Sequence, residues 1–404
     1  MLEVDAASFL VIVAVASLAG LTAALLEKRI AVPVVVIELL LGIVIGPDVL
    51  GLAMSDSFTD FFSNLGLGML FFFAGYEIDF KRIQGQPLKL AILGWVLSLV
   101  IAYTVGGLLA WAGIVLSLLY TGSALATTAI GTLIPVLRDA GELPTRFGTF
   151  LLAAGAIGEF GPILLVTLVL AGGQPVEEAA ILVAFVAIAV VVAVVAVRST
   201  FLGWPLMERT LEASSQVAIR LSVLLIFGLV ALAYELGLDL LLGGFVAGLI
   251  TRMALQGKEV ELFESKLTAI GYGFFIPFFF IVSGIKFDLD ALLSSTETLY
   301  KLPLFLSLFF LVRGGPALLL YRGVLKERRD RLALGFYSAT ELPLVVAITT
   351  IAVDGGHMHS STAASLVGAA MLSTFAFPLV AMALRKGRAG MDLEPRIQPD
   401  AAPA

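Results

Sequence analysis

The chain has 404 residues, of which 59% are hydrophobic and 14% charged, with a mean hydropathy of +1.04. Soluble domains carry about 45–50% apolar and about 25% charged residues, so this composition belongs in a bilayer and excludes most enzymes, nucleic-acid binders and secreted disulfide scaffolds. A net charge of -6 is too mild to imply an anionic partner, and the absence of cysteine removes disulfides, thiolate catalysis and cysteine metal sites.

Apolar windows of about 20 residues, the length that crosses the hydrocarbon core, can be read in chain order. They fall at 7–26, 32–47, 58–78, 88–112, 115–136, 145–171, 177–200, 217–236, 238–253, 266–285, 300–321, 331–353 and 360–384. The reading is an all-α polytopic membrane protein of 13 transmembrane helices, followed by a short disordered tail over 387–404. The first window is preceded by Glu3 and Asp5 rather than by the positive region of a signal peptide, so it reads as a retained helix. With the N-terminus outside, only Lys286 and Lys301 face outward and Arg313 lies inside a span. The other 22 of the 25 basic residues fall on the inner side. The positive-inside rule then orients the chain in the cell's inner (plasma) membrane with its C-terminus in the cytoplasm. His357 and His359 share one loop and read as solvated.

A duplicated unit runs through the sequence. Leu39-Leu40-Leu41-Gly42 recurs as Leu240-Leu241-Leu242-Gly243, and Phe71-Phe72-Phe73 with Gly75 and Asp79 recurs as Phe278-Phe279-Phe280 with Gly284 and Asp288. Ser123-Ala124 is matched by Ser338-Ala339. Each match is offset by seven helices, an odd number, so the second five-helix copy is inverted relative to the first. Inverted repeats with broken helices meeting near the midplane mark secondary transporters. Two such breaks are expected, at Gly122–Thr132, which includes Thr127 and Thr128 and is followed by Pro135, and at Ser338-Ala339-Thr340-Glu341-Leu342-Pro343.

Ionisable residues inside spans cost about 2.5–3.5 kcal/mol or more and are functional by default. Glu159, in Ala156-Ile157-Gly158-Glu159-Phe160-Gly161-Pro162, is the deepest in sequence, and Arg313 and Glu341 are the others in the second half. Glu38 lies nearer the inner surface. A carboxylate among hydroxyls and carbonyls takes either a hard monovalent cation or a proton, because burial favours protonation once the cation leaves. Glu159 therefore reads as an exchange site for one cation against one proton, with Glu341 as a second titrating group or as the neutraliser of Arg313. A structural ion pair between buried charges is the competing reading.

On these residues the chain resembles the monovalent cation:proton antiporter-2 family, the bacterial Kef-type and sodium/proton antiporter group. Glu38-x3-Gly42-x3-Gly46-Pro47 is similar to the family's opening signature, and Gly284-Ile285-Lys286-Phe287-Asp288 to its later counterpart. The resemblance implies a sodium/proton antiporter-like fold with crossed broken helices, an elevator mechanism and a homodimer. Core helices would span about 88–171 and 300–386, scaffold helices about 7–78 and 217–285, with 177–200 as linker. It implies cation or proton binding at Glu159, Thr127, Thr128, Gly158 and Glu341, charge compensation by Arg313, and crossover positions at Ser123, Ser338 and Thr340. The family's usual Asp-Asp, Asn-Asp or Gln-Asp pair is replaced by Gly158-Glu159, which favours electroneutral exchange and leaves sodium and potassium both open. The Kef-type nucleotide-binding domain has no counterpart in the glycine pattern. Neither a resident cofactor nor a nucleic-acid partner is expected, and the cations and protons are cargo. The rival reading on the same fold is a sodium-coupled symporter of an organic anion, with Arg313 binding its carboxylate. A channel is disfavoured, since Thr104-Val105-Gly106-Gly107 is one isolated copy where a filter needs several converging loops.

Overall fold

The computed structural model describes residues 5–26, 33–78, 80–165, 175–211, 213, 215–238, 240–255, 260–293 and 296–386; the tail expected over 387–404 lies outside them. Helices α1 (Ala6–Leu26), α2 (Val34–Ile45), α3 (Ser57–Tyr76), the short α4 (Phe80–Ile83) and α5 (Gln86–Trp111) come first. An interrupted helix follows as α6 (Leu118–Leu125) and α7 (Ile130–Asp139), then α8 (Arg146–Leu165), α9 (Pro175–Leu211), α10 (Val217–Glu235) and α11 (Leu240–Ala254). Helix α12 (Val260–Ile270) runs through a π-helical turn at Gly271–Phe275 into α13 (Ile276–Ile285). After α14 (Leu289–Leu293), α15 (Thr296–Phe309) passes through a second π-helical turn at Phe310–Gly314 into α16 (Gly315–Leu320). A second interrupted helix, α17 (Arg328–Ser338) and α18 (Pro343–Asp354), precedes α19 (Ser360–Arg385).

Among the described residues nine helices are long and apolar enough to cross a membrane, or ten if the α17–α18 pair, bent by 41°, is one span. The α2, α6–α7 and α11 segments are shorter apolar helices. Two boundaries differ from the expected windows. Helix α9 continues to Leu211, and α12 starts at Val260 because Glu261, Glu264 and Lys266 extend the helix beyond its apolar stretch. Hydropathy detects only the part that pays off in lipid, whereas a helix continues into the interface wherever its backbone bonds continue.

One group of helices is knitted through backbone contact. Helix α2 packs on α13 and α3 on α11. A Cβ on Gly42 would lie 2.3 Å from the Ile281 carbonyl oxygen, and one on Gly248 would lie 2.0 Å from that of Phe72. Small residues let membrane helices approach this closely, where dispersion drives association in place of the hydrophobic effect. These two pairings exchange places if α2–α3 is laid over α11–α13. Helix α9 packs on α10 and α11. A second group joins α5 to α6 and α8, and α19 to α15, α17 and α18. Its ends are fastened by a buried cluster in which Arg385 grips Glu142 with two bonds of 2.8 and 2.9 Å and reaches Asp330 at 3.0 Å. The guanidinium lies 4.3 Å from the Phe147 ring centroid.

Candidate functional site

The two helix breaks meet. Residues 126–129 leave the helix between α6 and α7, and residues 339–342 do so between α17 and α18. The first break contains no proline, but Thr127 and Thr128 offer the backbone alternative partners; Pro343 ends the second by withholding its N–H. The freed backbone groups are satisfied across the crossing. The Ala129 N–H donates to the Thr340 carbonyl at 2.8 Å, and the Thr128 N–H to the Gly158 carbonyl at 3.0 Å. On the other side, the Glu341 N–H donates to Ser373 Oγ at 3.0 Å, while its carbonyl accepts from Ser373 and Thr374 at 3.1 Å each. Trp95 Nε1 donates to the Ala126 carbonyl at 3.2 Å.

Glu159 is 1% exposed and lies beside the first turn of α7, where the backbone dipoles of Ile130 and Gly131 act on its carboxylate. A helix N-terminus favours negative charge. Its Oε2 is buried without a hydrogen-bond partner. Glu159 falls in the last third of α8 as described; residues 166–171 of the expected 145–171 span lie outside the described residues.

Arg313, on the second π-helical turn, pairs with neither glutamate: no ion pair among the described residues joins it to Glu159 or Glu341. Its Nε and Nη2 donate to Thr128 Oγ1 at 2.9 and 2.7 Å, Nη1 to Ser98 Oγ at 3.2 Å, and Nη2 also to the Ala154 carbonyl at 3.3 Å. The charge it feels most is that of Glu341. Gly158 makes this seat possible, since a Cβ there would stand 2.2 Å from Arg313 Nη2.

The expected site residues therefore come together, with two corrections. Thr128 Oγ1 gives its proton to the Ser338 carbonyl at 2.6 Å and receives both guanidinium donors on its two lone pairs, so its hydroxyl has no capacity left to ligate a cation. Thr127 Oγ1 instead faces Glu341 Oε2 at 3.1 Å, and Glu341 Oε1 is buried without a partner. Second, Ser123 and Ser338 are not in equivalent places. Ser338 is the last residue of α17, whereas Ser123 lies two residues before the end of α6 and bonds Tyr103 Oη at 3.1 Å. The register is set by where each helix breaks, not by the shared dipeptide. Thr340, within the second break, gives its carbonyl to Ala129, as a crossover position requires.

Ser98, Ser373 and Thr374 were not singled out from the sequence. Ser98 is a lone buried hydroxyl in an apolar helix, a signal shared with many structural serines. Ser373 and Thr374, on α19, bond the backbone of Glu341, a contact between distant segments that only the folded chain reveals.

The family model for the transmembrane sodium/hydrogen exchanger matches residues 13–383. The chain belongs to this family. It is similar to a putative Na(+)/H(+) antiporter, YjbQ, of Bacillus subtilis, 26% identical over 388 residues that cover 91% of this chain and 62% of that protein. It is also similar to a probable Na(+)/H(+) antiporter of Methanocaldococcus jannaschii (28% identity, 68% and 71% covered) and to the Na(+)/H(+)-K(+) antiporter GerN of Bacillus cereus (26% identity, 66% and 68% covered). The chain thus spans less than two thirds of the Bacillus subtilis relative. Its fold matches that of the sodium proton antiporter MjNhaP1 from Methanocaldococcus jannaschii with a TM-score of 0.64 at 17% identity, covering 95% of this chain and 97% of that one.

Proposed function

We propose that this exchanger moves a monovalent cation, Na+ or K+, against H+ across the inner membrane by alternating access. Glu159 carries either ion, in a one-for-one electroneutral cycle. The observation that carries the reading is a buried carboxylate with an unpartnered oxygen, placed at a helix N-terminus beside two crossing helix breaks. Thr127, Glu341 and the carbonyl of Gly158 supply further oxygens. Thr128 and Gly158 seat Arg313, and Glu341 balances its charge.

Thirteen crossings, with α2, the α6–α7 pair and α11 counted as spans, agree with a cytoplasmic C-terminus under the positive-inside rule. The inverted repeat is supported by the exchangeable α2–α13 and α3–α11 pairings. The moving core consists of α5–α8 and α15–α19, the scaffold and homodimer contact of α1–α3 and α10–α13, and α9 links them. A cavity of about 590 Å³ between α3 and α13 on one side and α18 and α19 on the other supports access from the outer face. Its lining includes Asn64, Asp288, Thr349 and Asp354. Four of the five guanidinium N–H groups are already bonded within the protein, which argues against the organic-anion symporter.

The test is proton flux in sealed proteoliposomes holding an inward-acid gradient, with sodium, potassium and lithium added in turn. One cation collapses the gradient with the unaltered protein, and Glu159→Gln abolishes the collapse. Exchange surviving in the Gln variant overturns the assignment.

A further inference from the structure

The two breaks are held in different ways. In the first, the N–H groups of Thr128 and Ala129 find carbonyls across the crossing, on Gly158 and Thr340. In the second, the N–H groups of Ala339 and Thr340 still bond carbonyls of α17, and Glu341 is where the chain leaves that helix. Among the described residues no backbone group bonds either the N–H or the carbonyl of Glu341. The residue is 0% exposed, and a buried peptide unit without partners is costly.

Two adjacent hydroxyls of α19 take up the whole unit. Ser373 Oγ accepts the Glu341 N–H at 3.0 Å. Its own proton has two carbonyls within reach, that of Ala370 at 2.7 Å and that of Glu341 at 3.1 Å. Thr374 Oγ1 faces the same two carbonyls at 3.0 and 3.1 Å. Each hydroxyl has one proton to give, so two protons serve two carbonyls, and the Glu341 carbonyl receives one in either arrangement. Both side chains are buried, out of reach of bulk water.

The side chain of the same residue reaches the crossing. Glu341 Oε2 accepts from Thr127 Oγ1 at 3.1 Å, on the first break, and the charges of Glu341 and Arg313 act on each other. That carboxylate hangs from a peptide unit that neither α17 nor α18 holds, so its placement is set by α19. We propose that Ser373 and Thr374 are positioning residues for the exchange. They fix the Glu341 backbone so that its carboxylate stays on Thr127 and opposite Arg313, and they act on the cation only through it. This rests on the reading in which Glu341 supplies an oxygen to the cation and balances Arg313.

Ser373→Ala strands the Glu341 N–H in a buried site. Thr374→Val removes the other hydroxyl and keeps the branched shape, whereas Thr374→Ser keeps the hydroxyl. In proteoliposomes, the half-saturating concentration of sodium, or of potassium if that is the ion exchanged, should rise about tenfold with Ser373→Ala, the size of one buried donor left unsatisfied. With Thr374→Val it should rise about fivefold, the net worth of one hydrogen bond. The maximal rate should be largely kept in both, and Thr374→Ser should restore the original half-saturation. If Ser373→Ala gives no folded protein, the Val and Ser variants at position 374 decide the matter alone.

A fall in maximal rate or yield with unchanged half-saturation overturns the proposal, since hydroxyls that merely join two helices would behave that way. So does a Thr374→Ser protein as impaired as Thr374→Val. In a Glu341→Gln background the Thr374→Val effect on half-saturation should shrink, because the group being placed has lost its charge; an equal effect there overturns the route through that carboxylate. Glu341→Gln that by itself leaves half-saturation unchanged overturns the role of Glu341, which separates that failure from a failure of the two hydroxyls to position it.

Discussion

Replacing Gly158 by alanine adds one methyl group at the most crowded point of the site. Its Cβ would stand 2.2 Å from Arg313 Nη2, 2.6 Å from Thr128 Oγ1 and 2.9 Å from Thr128 Cβ. Carbon and nitrogen in contact sit about 3.5 Å apart, so the guanidinium must retreat by more than an ångström. It cannot do so and keep bonds of 2.7 and 2.9 Å to Thr128. Overpacking costs about 1–3 kcal/mol, and losing a charge-assisted bond costs about 1.5–3 kcal/mol. The expected penalty is therefore about 2.5–6 kcal/mol if the surroundings do not relax. Thermal unfolding in detergent should show a lowered midpoint for Gly158→Ala, and exchange should fall with it. Because the clash is with one side chain, the double variant Gly158→Ala/Arg313→Leu should be less destabilised than the two single penalties summed. Contacting residues couple in this way. Additive penalties, or a Gly158→Ala protein that melts and transports like the original, would refute the seating of Arg313 against Gly158.

Arg385→Met should cost about 3–5 kcal/mol, because it strands Glu142 and Asp330 in a buried cluster without their shared cation; a melting midpoint equal to that of the unaltered protein would count against that cluster as a fastening. Asp56 caps α3 by accepting the Thr59 N–H at 2.7 Å, and Asp56→Ala should cost about 0.5–2 kcal/mol. The Thr59 N–H, with help from the Asp5 N–H, holds the Asp56 carboxyl below its ordinary value. The cap's contribution is therefore full above the unfolded carboxylate range, about pH 3.9, and is lost as pH falls through the lower folded value. The difference in melting between Asp56→Ala and the unaltered protein should shrink under acid conditions and stay constant near neutrality.

The apolar spans were legible because transfer energy accumulates over 20 residues and needs no partner. The breaks were legible from local chemistry, since Thr127-Thr128 and Pro343 weaken a helix wherever they occur. Glu159, Arg313 and Glu341 could be picked out because charge is expensive in hydrocarbon, and the folded chain does bring them to one crossing. The identity of Arg313's partners was not legible. Sequence pattern suggests that a buried charge needs compensation but not whether a carboxylate or a set of hydroxyls and carbonyls provides it. The π-helical turn under Arg313 was equally hidden, because Phe310-Leu311-Val312 has the composition of any apolar helix. The false equivalence of Ser123 and Ser338 arose because a two-residue match carries no register, whereas the helix ends do.

The two breaks place Thr128 and Glu341 at corresponding points, each two residues before the next half-helix starts. One position receives the guanidinium and the other supplies the charge that it feels most. On the proposed reading, Arg313 and Glu341 cancel through the cycle, and Glu159 alone changes its occupant. The carrier then moves one positive charge in each direction, as cation or as proton, and no net charge crosses. This predicts that an imposed membrane potential leaves the exchange equilibrium where the ion gradients set it. Each uncompensated charge would otherwise contribute about 2.3 kcal/mol per 100 mV, roughly a fiftyfold bias. Valinomycin-clamped proteoliposomes, with sodium as the exchanged ion, can resolve such a bias easily. A reversal point that moves with voltage would mean that a second group, Glu341 foremost, exchanges its proton during the cycle and that the pairing with Arg313 is temporary.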